Sequence, residues 1–172
     1  RSNIMGTANI LEALRKSDSE TVFINFTSDK CYENKEIDYS YNENDKLGGH
    51  DPYSASKACS EIITKSFRES FFENKEKQIS ISTIRAGNVI GGGDWADNRL
   101  IPDCMRQLDK KQKVIIRNPK SIRPWQHVFE PISGMLLLAF HMKKNPSKFN
   151  ESWNIGPIFT NITVKEIVEK II

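Results

Sequence analysis

Two short strand-like segments, each followed at once by polar residues, constrain the fold of this chain more than any other feature. Residues Thr21–Phe26 form a nearly continuous apolar run, and residues 78–84 form the next strand-like segment. The first run is typical of a strand that is covered on both faces, as in a parallel sheet. The polar residues that follow, 27–32 and 85–95, would then lie at the carboxyl end of the strands, where open α/β sheets bind ligands.

Segments with helical periodicity alternate with these strands. We expect helices at about residues 2–16, 52–74, 99–110 and 131–143, and a last helix that Thr163 and Glu166 begin with a capping box. Further strands are predicted at 114–117 and 152–157, and the apolar patch at 135–140 is expected to be a buried helix. Strands that alternate with helices predict the α/β class.

Composition excludes several classes of protein. The 172 residues suffice for one domain with a core, and a net charge of +3 is too weak to indicate a nucleic-acid or membrane partner. No apolar run approaches the ~20 residues that a membrane span needs. Cys31, Cys59 and Cys104 are odd in number and widely spaced, which favours reduced thiols, a cytoplasmic location and no metal site.

The segment that begins at Asp51 holds the strongest candidate for chemistry. Asp51 can cap a helix and Pro52 suits its first position, which places Tyr53 and Lys57 four residues apart on one side. A fixed cation beside a phenol favours the phenolate, and this makes the tyrosine a better acid/base near neutral pH. Taken alone, the spacing more often means an exposed surface pair, so the other motifs decide its meaning.

Those motifs occur in an order that resembles the extended short-chain dehydrogenase/reductase family, and within it the nucleotide-sugar 4,6-dehydratases. They are Asn3-x-x-Gly6-Thr7, Thr27-Ser28-Asp29-Lys30-x-Tyr32, Asp51-Pro52-Tyr53-x-x-Ser56-Lys57, Arg85-x-Gly87-Asn88, Gly91-Gly92-Gly93-Asp94-Trp95, Arg99-Leu100-Ile101-Pro102-Asp103, Arg123-Pro124-Trp125-Gln126-His127 and Trp153-Asn154-Ile155-Gly156. The resemblance implies the C-terminal part of a Rossmann-like parallel sheet with helices, plus part of a small substrate-binding lobe.

The same resemblance implies a domain organisation. Residues 1–87 would be the Rossmann-like core, 88–125 the substrate lobe, 126–157 a return to the core and 158–172 the start of a C-terminal lobe. Family members begin with a glycine-rich unit that holds the NAD pyrophosphate, and no such unit is found here. We therefore expect an internal fragment of a longer enzyme, inactive in isolation.

The implied reaction is the NAD-dependent dehydration of CDP-glucose to CDP-4-keto-6-deoxyglucose, in deoxysugar and O-antigen (lipopolysaccharide) biosynthesis. By resemblance, Tyr53 is the acid/base, and Lys57 lowers its pKa and holds the nicotinamide ribose. Ser28 would hydrogen-bond near the C4 oxygen, and Asp29 would protonate the departing C6 hydroxyl.

Lys30 departs from the pattern of thymidine-diphosphate members, which carry glutamate at this position, and resembles the cytidine-diphosphate members. A lysine can take the C5 proton only when it is neutral, which requires desolvation or crowding by charge. A charged Lys30 could only stabilise the enolate. The sequence leaves both roles open.

The remaining expected contacts also follow from the resemblance. Residues expected to bind the cofactor are Asn3, Thr27, Tyr53, Lys57, Ala86 and Asn88. Residues expected to bind the nucleotide sugar are Asn88, Arg99, Leu100, Arg117 and Arg123. Arg117 and Arg123 would bind the pyrophosphate. Trp125 is expected in the core, and His127 is expected to be a packed histidine. A homodimer through the first helix and the Tyr53 helix is the implied assembly.

Three alternatives stay open. A nucleotide-sugar 4-epimerase shares the tyrosine and lysine but has no use for Asp29 with Lys30, since it eliminates nothing. Another nucleotide-sugar 4,6-dehydratase would differ in the base that it accepts. A catalytically dead NAD-sensing scaffold would usually lose Tyr53 or Lys57, and both are present.

Overall fold

The computed structural model describes residues 1–37, 39–72, 79–158 and 162–172. Its helices are α1 (Ser2–Lys16), α2 (Pro52–Phe67), α3 (Leu100–Asp109), α4 (Phe129–Lys144), α5 (Pro146–Phe149) and α6 (Val164–Ile171). Its strands are β1 (Thr21–Phe26), β2 (Ile79–Ala86), β3 (Val89–Ile90), β4 (Gln126–His127) and β5 (Ser152–Ile155). A 3₁₀ helix covers Asp29–Cys31 and a π-helical turn, Arg68–Phe72, continues α2. The α/β class is confirmed.

The chain divides into two compact units. The first comprises Arg1–Ala86 with Ile132–Ile155, and the second comprises Gly87–Pro131 with Gly156–Ile172. The sequence had placed the corresponding boundaries after residues 87, 125 and 157, so the return to the first unit begins six residues later than expected.

The first unit contains a parallel sheet in the order β1-β2-β5. Thr21 pairs with Ile79 and Phe26 with Ile84, while Ala86 pairs with Ile155. The central strand β2 is buried along its whole length, whereas β1 is half-buried because, among the described residues, it pairs with β2 alone. All three strands run the same way, so their carboxyl ends meet at one edge of the sheet.

Apolar clusters cover this sheet. Leu11 of α1 packs with Ile79 and Ile81 of β2, and α2 contributes Ile63 and Phe67 to the same cluster. Ile84 and Ala86 of β2 belong to a second cluster, with Leu138 and Met142 of α4. Alternate residues of a strand point to opposite faces, so β2 is covered on both sides.

The predicted strand at 114–117 is wrong, because this segment is irregular. The backbone N–H of Ile115 donates to Gln107 Oε1 at 3.0 Å instead of to a neighbouring strand. The Ile115 side chain is 77% exposed. The β-branched residues of segment 114–117 favour extended backbone, but no described strand pairs with this segment.

The apolar patch at 135–140 is helical, as predicted, but it is not a buried helix. Leu138 faces the sheet and is buried, while Leu136 and Leu137 are 62% and 59% exposed. Only one side of α4 packs on the sheet of its unit. No helix in the described ranges is both long enough and apolar enough to span a bilayer.

The remaining boundaries agree closely with the predicted ones. α1 has the predicted limits, and Thr163 and Glu166 form the predicted capping box at the start of α6. The regular part of α2 ends at Phe67 rather than near Asn74, which lies outside the described residues, as does Gln78.

Gly49 allows the loop before α2 to pass close to the first turn of that helix. A Cβ atom at Gly49 would lie 2.6 Å from the carbonyl carbon of Ser54, a backbone atom that cannot rotate away. We expect Gly49→Ala to lower the free energy of unfolding by about 1–3 kcal/mol, as overpacking commonly does. Urea denaturation measures this effect. Gly92→Ala is the matched control, because a Cβ there meets nothing within 4 Å; equal losses in both variants would contradict the prediction.

Candidate active site

The residues that follow β1 form a compact polar turn. Ser28 caps the 3₁₀ helix: its Oγ accepts from the Lys30 backbone N–H at 3.2 Å and donates to Asp29 Oδ1 at 3.1 Å. Ser28 is buried, Asp29 is half-buried and Lys30 is exposed. The turn therefore fixes the Asp29 carboxylate against Ser28 and leaves the Lys30 side chain facing solvent.

The start of α2 is fixed by Asp51. Its Oδ1 accepts from the backbone N–H groups of Tyr53 at 2.9 Å and Ser54 at 3.0 Å, which is the predicted N-cap. The Ser54 hydroxyl and backbone N–H hold the pKa of Asp51 below its ordinary value. Tyr53 lies in the first turn with its side chain 49% exposed, which leaves the phenol accessible to a ligand.

Lys57 lies one turn further along α2 and reaches the end of β1. Its Nζ donates to the carbonyl oxygen of Phe26 at 3.2 Å. Burial lowers the pKa of Lys57, and the charge of Glu61 opposes this shift. Lys30 Nζ lies 5.9 Å from the centroid of the Tyr53 ring. The structure thus brings Tyr53, Lys57 and Lys30 together beside the turn that follows β1.

The residues predicted to bind a cofactor border the same region, except Asn88, which belongs to the second unit. Asn3 Nδ2 donates to Ser56 Oγ at 2.9 Å, so Asn3 contacts α2 next to the Tyr53–Lys57 pair. Ala86 is buried at the carboxyl end of β2. The Thr27 hydroxyl donates to Glu61 and to the Ile84 carbonyl oxygen, so its proton is used within the fold.

Sequence reasoning missed a buried charged network beneath this region. Glu61 of α2 and Arg85 of β2 form an ion pair, with Glu61 Oε2 2.8 Å from Arg85 Nη2 and both side chains at most 4% exposed. Burial disfavours the charged guanidinium, but the hydrogen bond and charge of Glu61 outweigh it and raise the pKa of Arg85. Two signals in the sequence point to the network without identifying it: an acidic residue four positions after Lys57, and an arginine at the end of a strand.

The long loop between β1 and α2 is tied to the strands by the same network. Arg85 Nη1 donates to the Tyr32 hydroxyl at 2.9 Å and to the Glu43 carbonyl oxygen at 3.0 Å. Asn154 of β5 accepts from the Tyr32 hydroxyl at 2.6 Å and donates from Nδ2 to the Tyr41 carbonyl oxygen at 2.9 Å. The Asn154 backbone N–H donates to Glu43 Oε1 at 2.7 Å. The loop is therefore anchored at several points.

The second unit contains a cavity of about 290 Å³ that holds most of the predicted substrate-binding residues. Its walls include Asn88, Leu100, Gln107, Arg117, Asn118, Ser121 and Arg123. Arg117 and Arg123 are exposed, and Arg123 Nη1 donates to the carbonyl oxygen of Ile122 at 3.0 Å. Arg99 is the N-cap residue of α3 and is not among the lining residues. A cavity with two guanidinium groups in its wall suits an anionic ligand, and the carboxylate that also lines it, Asp103, is paired with Arg106.

Two expectations about aromatic residues in this unit are wrong. Trp125 was expected in the core, but it is half-buried and lines the cavity. Its Nε1 is buried and has no hydrogen-bond partner among the described residues. His127 is exposed rather than packed inside, and its ring meets Phe129 edge-on at 4.9 Å between centroids. Trp95, for which the sequence does not decide between a place near the nucleotide base and one in the core, is 66% exposed.

The three cysteines, Cys31, Cys59 and Cys104, are unpaired in the structure. Burial raises the pKa of the Cys31 thiol to about 12, so this group is neutral over the physiological range. Within the described ranges, no group of three or more His, Cys, Asp or Glu residues is placed to hold a metal ion.

Comparison with known proteins establishes the family. Residues 1–156 match the NAD dependent epimerase/dehydratase family, and the chain belongs to it. The CDP-glucose 4,6-dehydratase of Salmonella typhimurium is 49% identical over 175 residues, which cover 99% of this chain and 49% of that protein. The dTDP-D-glucose 4,6-dehydratase of Dictyostelium discoideum is 27% identical, over 99% of this chain and 39% of that protein. The chain spans about half the length of these relatives or less.

Solved structures agree on the fold. The dTDP-glucose 4,6-dehydratase of Bacillus anthracis in complex with NAD has a TM-score of 0.81 at 22% identity, covering 98% of this chain and 50% of that one. The UDP-glucuronic acid 4-epimerase of Bacillus cereus, in complex with UDP-glucuronic acid and NAD, has a TM-score of 0.80 at 22% identity, with 98% and 51% covered. A dehydratase and an epimerase thus share this fold equally well, so the fold does not separate the two activities.

Proposed function

We propose that the full-length protein is a CDP-glucose 4,6-dehydratase that converts CDP-glucose to CDP-4-keto-6-deoxyglucose in deoxysugar biosynthesis. The observation that carries this proposal is the meeting of the Tyr53–Lys57 pair with the end of β1. Lys57 bonds the last carbonyl of that strand, and Lys30 from the turn after it lies beside the Tyr53 ring. The relative from Salmonella typhimurium, at 49% identity, supports the same reaction and the same nucleotide.

The residues around Tyr53 fit NAD as the cofactor. An ammonium has three N–H donors, and the Phe26 carbonyl engages one of those of Lys57, so others can reach ribose hydroxyls. The exposed Tyr53 phenol offers a polar contact on the same side. Asn3, Thr27, Ala86 and Asn88 complete the proposed cofactor set. Bound NAD would supply reversible hydride acceptance, which makes the overall dehydration redox-neutral.

Each catalytic residue then has a defined proton or contact. Tyr53 takes the proton of the sugar C4 hydroxyl as that carbon is oxidised, and Lys57 lies one turn away on the same side of α2. Ser28 binds the C4 oxygen from the turn after β1. The new ketone acidifies the C5 proton, which Lys30 takes when its amine is neutral, and Asp29 donates a proton to the departing C6 hydroxyl, so that one water leaves.

Lys30 serves the C5 position from its place beside Tyr53. We propose that Lys30 takes the C5 proton as a neutral amine and that the ammonium so formed then stabilises the enolate. A charged lysine has no lone pair with which to take a proton. The enolate oxygen at C4 would be the group that it faces.

The cavity of the second unit is proposed to bind the nucleotide diphosphate. Arg117 and Arg123 would engage the pyrophosphate, and Asn88 and Leu100 would contact the sugar nucleotide beside them. Arg99 precedes Leu100 at the start of α3 and is proposed from its motif alone. Guanidinium groups bind phosphate oxygens in pairs, which fixes orientation as well as charge.

We also propose a homodimer in the cytoplasm. Within one chain, α1 and α2 are joined by hydrogen bonds such as Thr7 Oγ1 to Ser60 Oγ at 2.7 Å. Apolar residues on these helices remain exposed, among them Met5, Ile10 and Ile62, and a second copy would cover them. Three free cysteines support a reducing compartment. Light scattering of the full-length protein would test the assembly, and a monomer at micromolar concentration would contradict it.

Product analysis tests the proposed reaction. The full-length protein is incubated with CDP-glucose and NAD, and the masses of the nucleotide sugars are measured by mass spectrometry. A dehydratase yields a product lighter by one water, whereas an epimerase yields an isomer of unchanged mass. Parallel incubations with the uridine and thymidine diphosphate sugars measure the base preference. No change of any sugar would favour an NAD-sensing scaffold and overturn the proposal.

Asp29→Asn isolates the elimination step. The amide cannot donate an acidic proton to the leaving hydroxyl, so we expect water loss to slow by roughly 10²-fold or more. The rate of appearance of the lighter sugar measures this effect. Asp45→Asn is the matched control, since Asp45 accepts hydrogen bonds from Tyr39 and Asn42 on the exposed loop and has no proposed role in catalysis. Normal water loss by Asp29→Asn would contradict the assignment.

A further inference from the structure

We propose that Glu61 is a positioning residue for the Tyr53–Lys57 pair, because its buried carboxylate fixes α2 against all three strands of the sheet. This role rests on the proposed function of that pair, and it is the same whichever sugar is bound. Glu61 is 2% exposed and lies on α2 one turn after Lys57.

The carboxylate of Glu61 gathers hydrogen bonds from each strand. Its Oε1 accepts from the hydroxyl of Thr27, which directly follows β1 and precedes Ser28. Its Oε2 accepts from Thr83 Oγ1 of β2 at 2.8 Å and from Ser152 Oγ of β5 at 3.3 Å. Arg85 Nη2 adds the ion pair at 2.8 Å. A shift of α2 along the sheet would break several of these bonds at once, so they set the height of the Tyr53–Lys57 pair relative to the strand ends.

The negative charge of Glu61 also acts on the ammonium of Lys57. The groups that face the Lys57 ammonium are Glu61 from α2, the Cys31 thiol from the 3₁₀ helix and the Phe26 carbonyl from β1. Burial lowers the pKa of Lys57, and Glu61 and Cys31 oppose that shift. The thiol is neutral at working pH, because burial raises its pKa to about 12. Glu61 is therefore the anion that opposes the lowering of the Lys57 pKa by burial.

Glu61→Gln tests this role, because it keeps the shape of the side chain and removes its charge. We expect the pKa of Lys57 to fall further below its ordinary value, since the negative charge that opposes the effect of burial is lost. The pH dependence of Lys57 acetylation by acetic anhydride, followed peptide by peptide in the mass spectrometer, measures this pKa in the full-length protein. The basic limb of the kcat/KM profile should move to lower pH in the same variant.

Glu61→Asp separates geometry from charge. The shorter carboxylate keeps the negative charge but cannot reach all of its partners. We expect the Lys57 pKa to stay near that of the unaltered protein, while kcat falls and KM changes little, because the pair is displaced rather than discharged. Glu61→Gln with a normal Lys57 pKa would overturn the electrostatic part of the proposal. Glu61→Asp with a normal kcat would overturn the geometric part.

Two further variants guard against a loss of folding. Glu61→Gln leaves Arg85 buried without its counter-ion, so Glu61→Gln/Arg85→Met removes both charges, and the lowered Lys57 pKa is expected to persist in it. Thr64→Ala is the matched control: Thr64 is fully buried on the same helix and accepts from Asn25 Nδ2 at 2.9 Å. It should lower the melting temperature without moving the Lys57 pKa, and an equal pKa shift would contradict the proposal. The acetylation readout needs neither cofactor nor sugar, so its failure is distinct from a failure of the proposed dehydration.

Discussion

Replacing Tyr53 with phenylalanine should reduce turnover of CDP-glucose by roughly 10²- to 10⁴-fold, the range over which a positioned acid/base acts. The phenylalanine ring keeps the shape of the residue but has no proton to exchange with the C4 hydroxyl. Because the Tyr53 backbone N–H is held by Asp51 and the side chain is 49% exposed, the fold should not change. The rate of formation of the dehydrated sugar measures the effect.

A tyrosine elsewhere in the same unit provides the control for this substitution. Tyr39 is 47% exposed and its hydroxyl donates to Asp45 at 3.2 Å, outside the candidate site. Tyr39→Phe should leave turnover unchanged, and both variants should keep the melting temperature of the unaltered protein. A Tyr53→Phe enzyme with normal turnover would remove the tyrosine from the mechanism, whatever the activity turns out to be.

The largest effect on stability is expected from Arg85→Met. The substitution leaves the Glu61 carboxylate buried without its counter-ion, and breaking a buried ion pair in this way costs about 3–5 kcal/mol. Arg85 also donates to the Tyr32 hydroxyl and the Glu43 carbonyl oxygen, so the loop before α2 should loosen as well. Urea denaturation measures the free energy of unfolding, and hydrogen exchange of the loop amides measures the loosening.

Arg106→Met is the comparison that gives this number its meaning. Arg106 pairs with Asp97 and Asp103, but its side chain is 27% exposed and Asp97 is 89% exposed. Solvent screens such a pair, so the expected loss is about 0–1 kcal/mol. The double variant Glu61→Gln/Arg85→Met should regain part of the stability lost in Arg85→Met. Equal losses for Arg85→Met and Arg106→Met would show that burial does not set the strength of the pair.

The elements that the sequence predicted well are those whose pattern is local. α1 and the capping box of α6 have the predicted positions, because apolar spacing and cap residues act within a few positions. The segment at 114–117 has strand-like composition, but a strand also needs a neighbouring strand to pair with. Local composition does not show whether such a neighbour exists. The exposed face of α4 is a failure of the same kind, since an apolar run does not reveal which of its sides meets the sheet.

The candidate site divides along the same line. Tyr53, Lys57 and Ser28–Lys30 could be proposed from motifs, because their chemistry and spacing are visible in the chain. Glu61 could not, since a glutamate on a helix is ordinarily a solvated residue. Its meaning depends on Thr83, Arg85 and Ser152, which only folding brings to it.

The anchoring of the long loop limits how this protein can be recombined with its relatives. Asn154 of β5 holds the Tyr41 carbonyl oxygen and the Glu43 carboxylate, while Arg85 of β2 holds the Glu43 carbonyl oxygen. A chimera that exchanged only the loop would leave the hydrogen-bond donors of Asn154 and Arg85 without their acceptors. The loop and these two strand residues therefore have to be transferred together. A functional graft must include Arg85 and Asn154 as well as the loop.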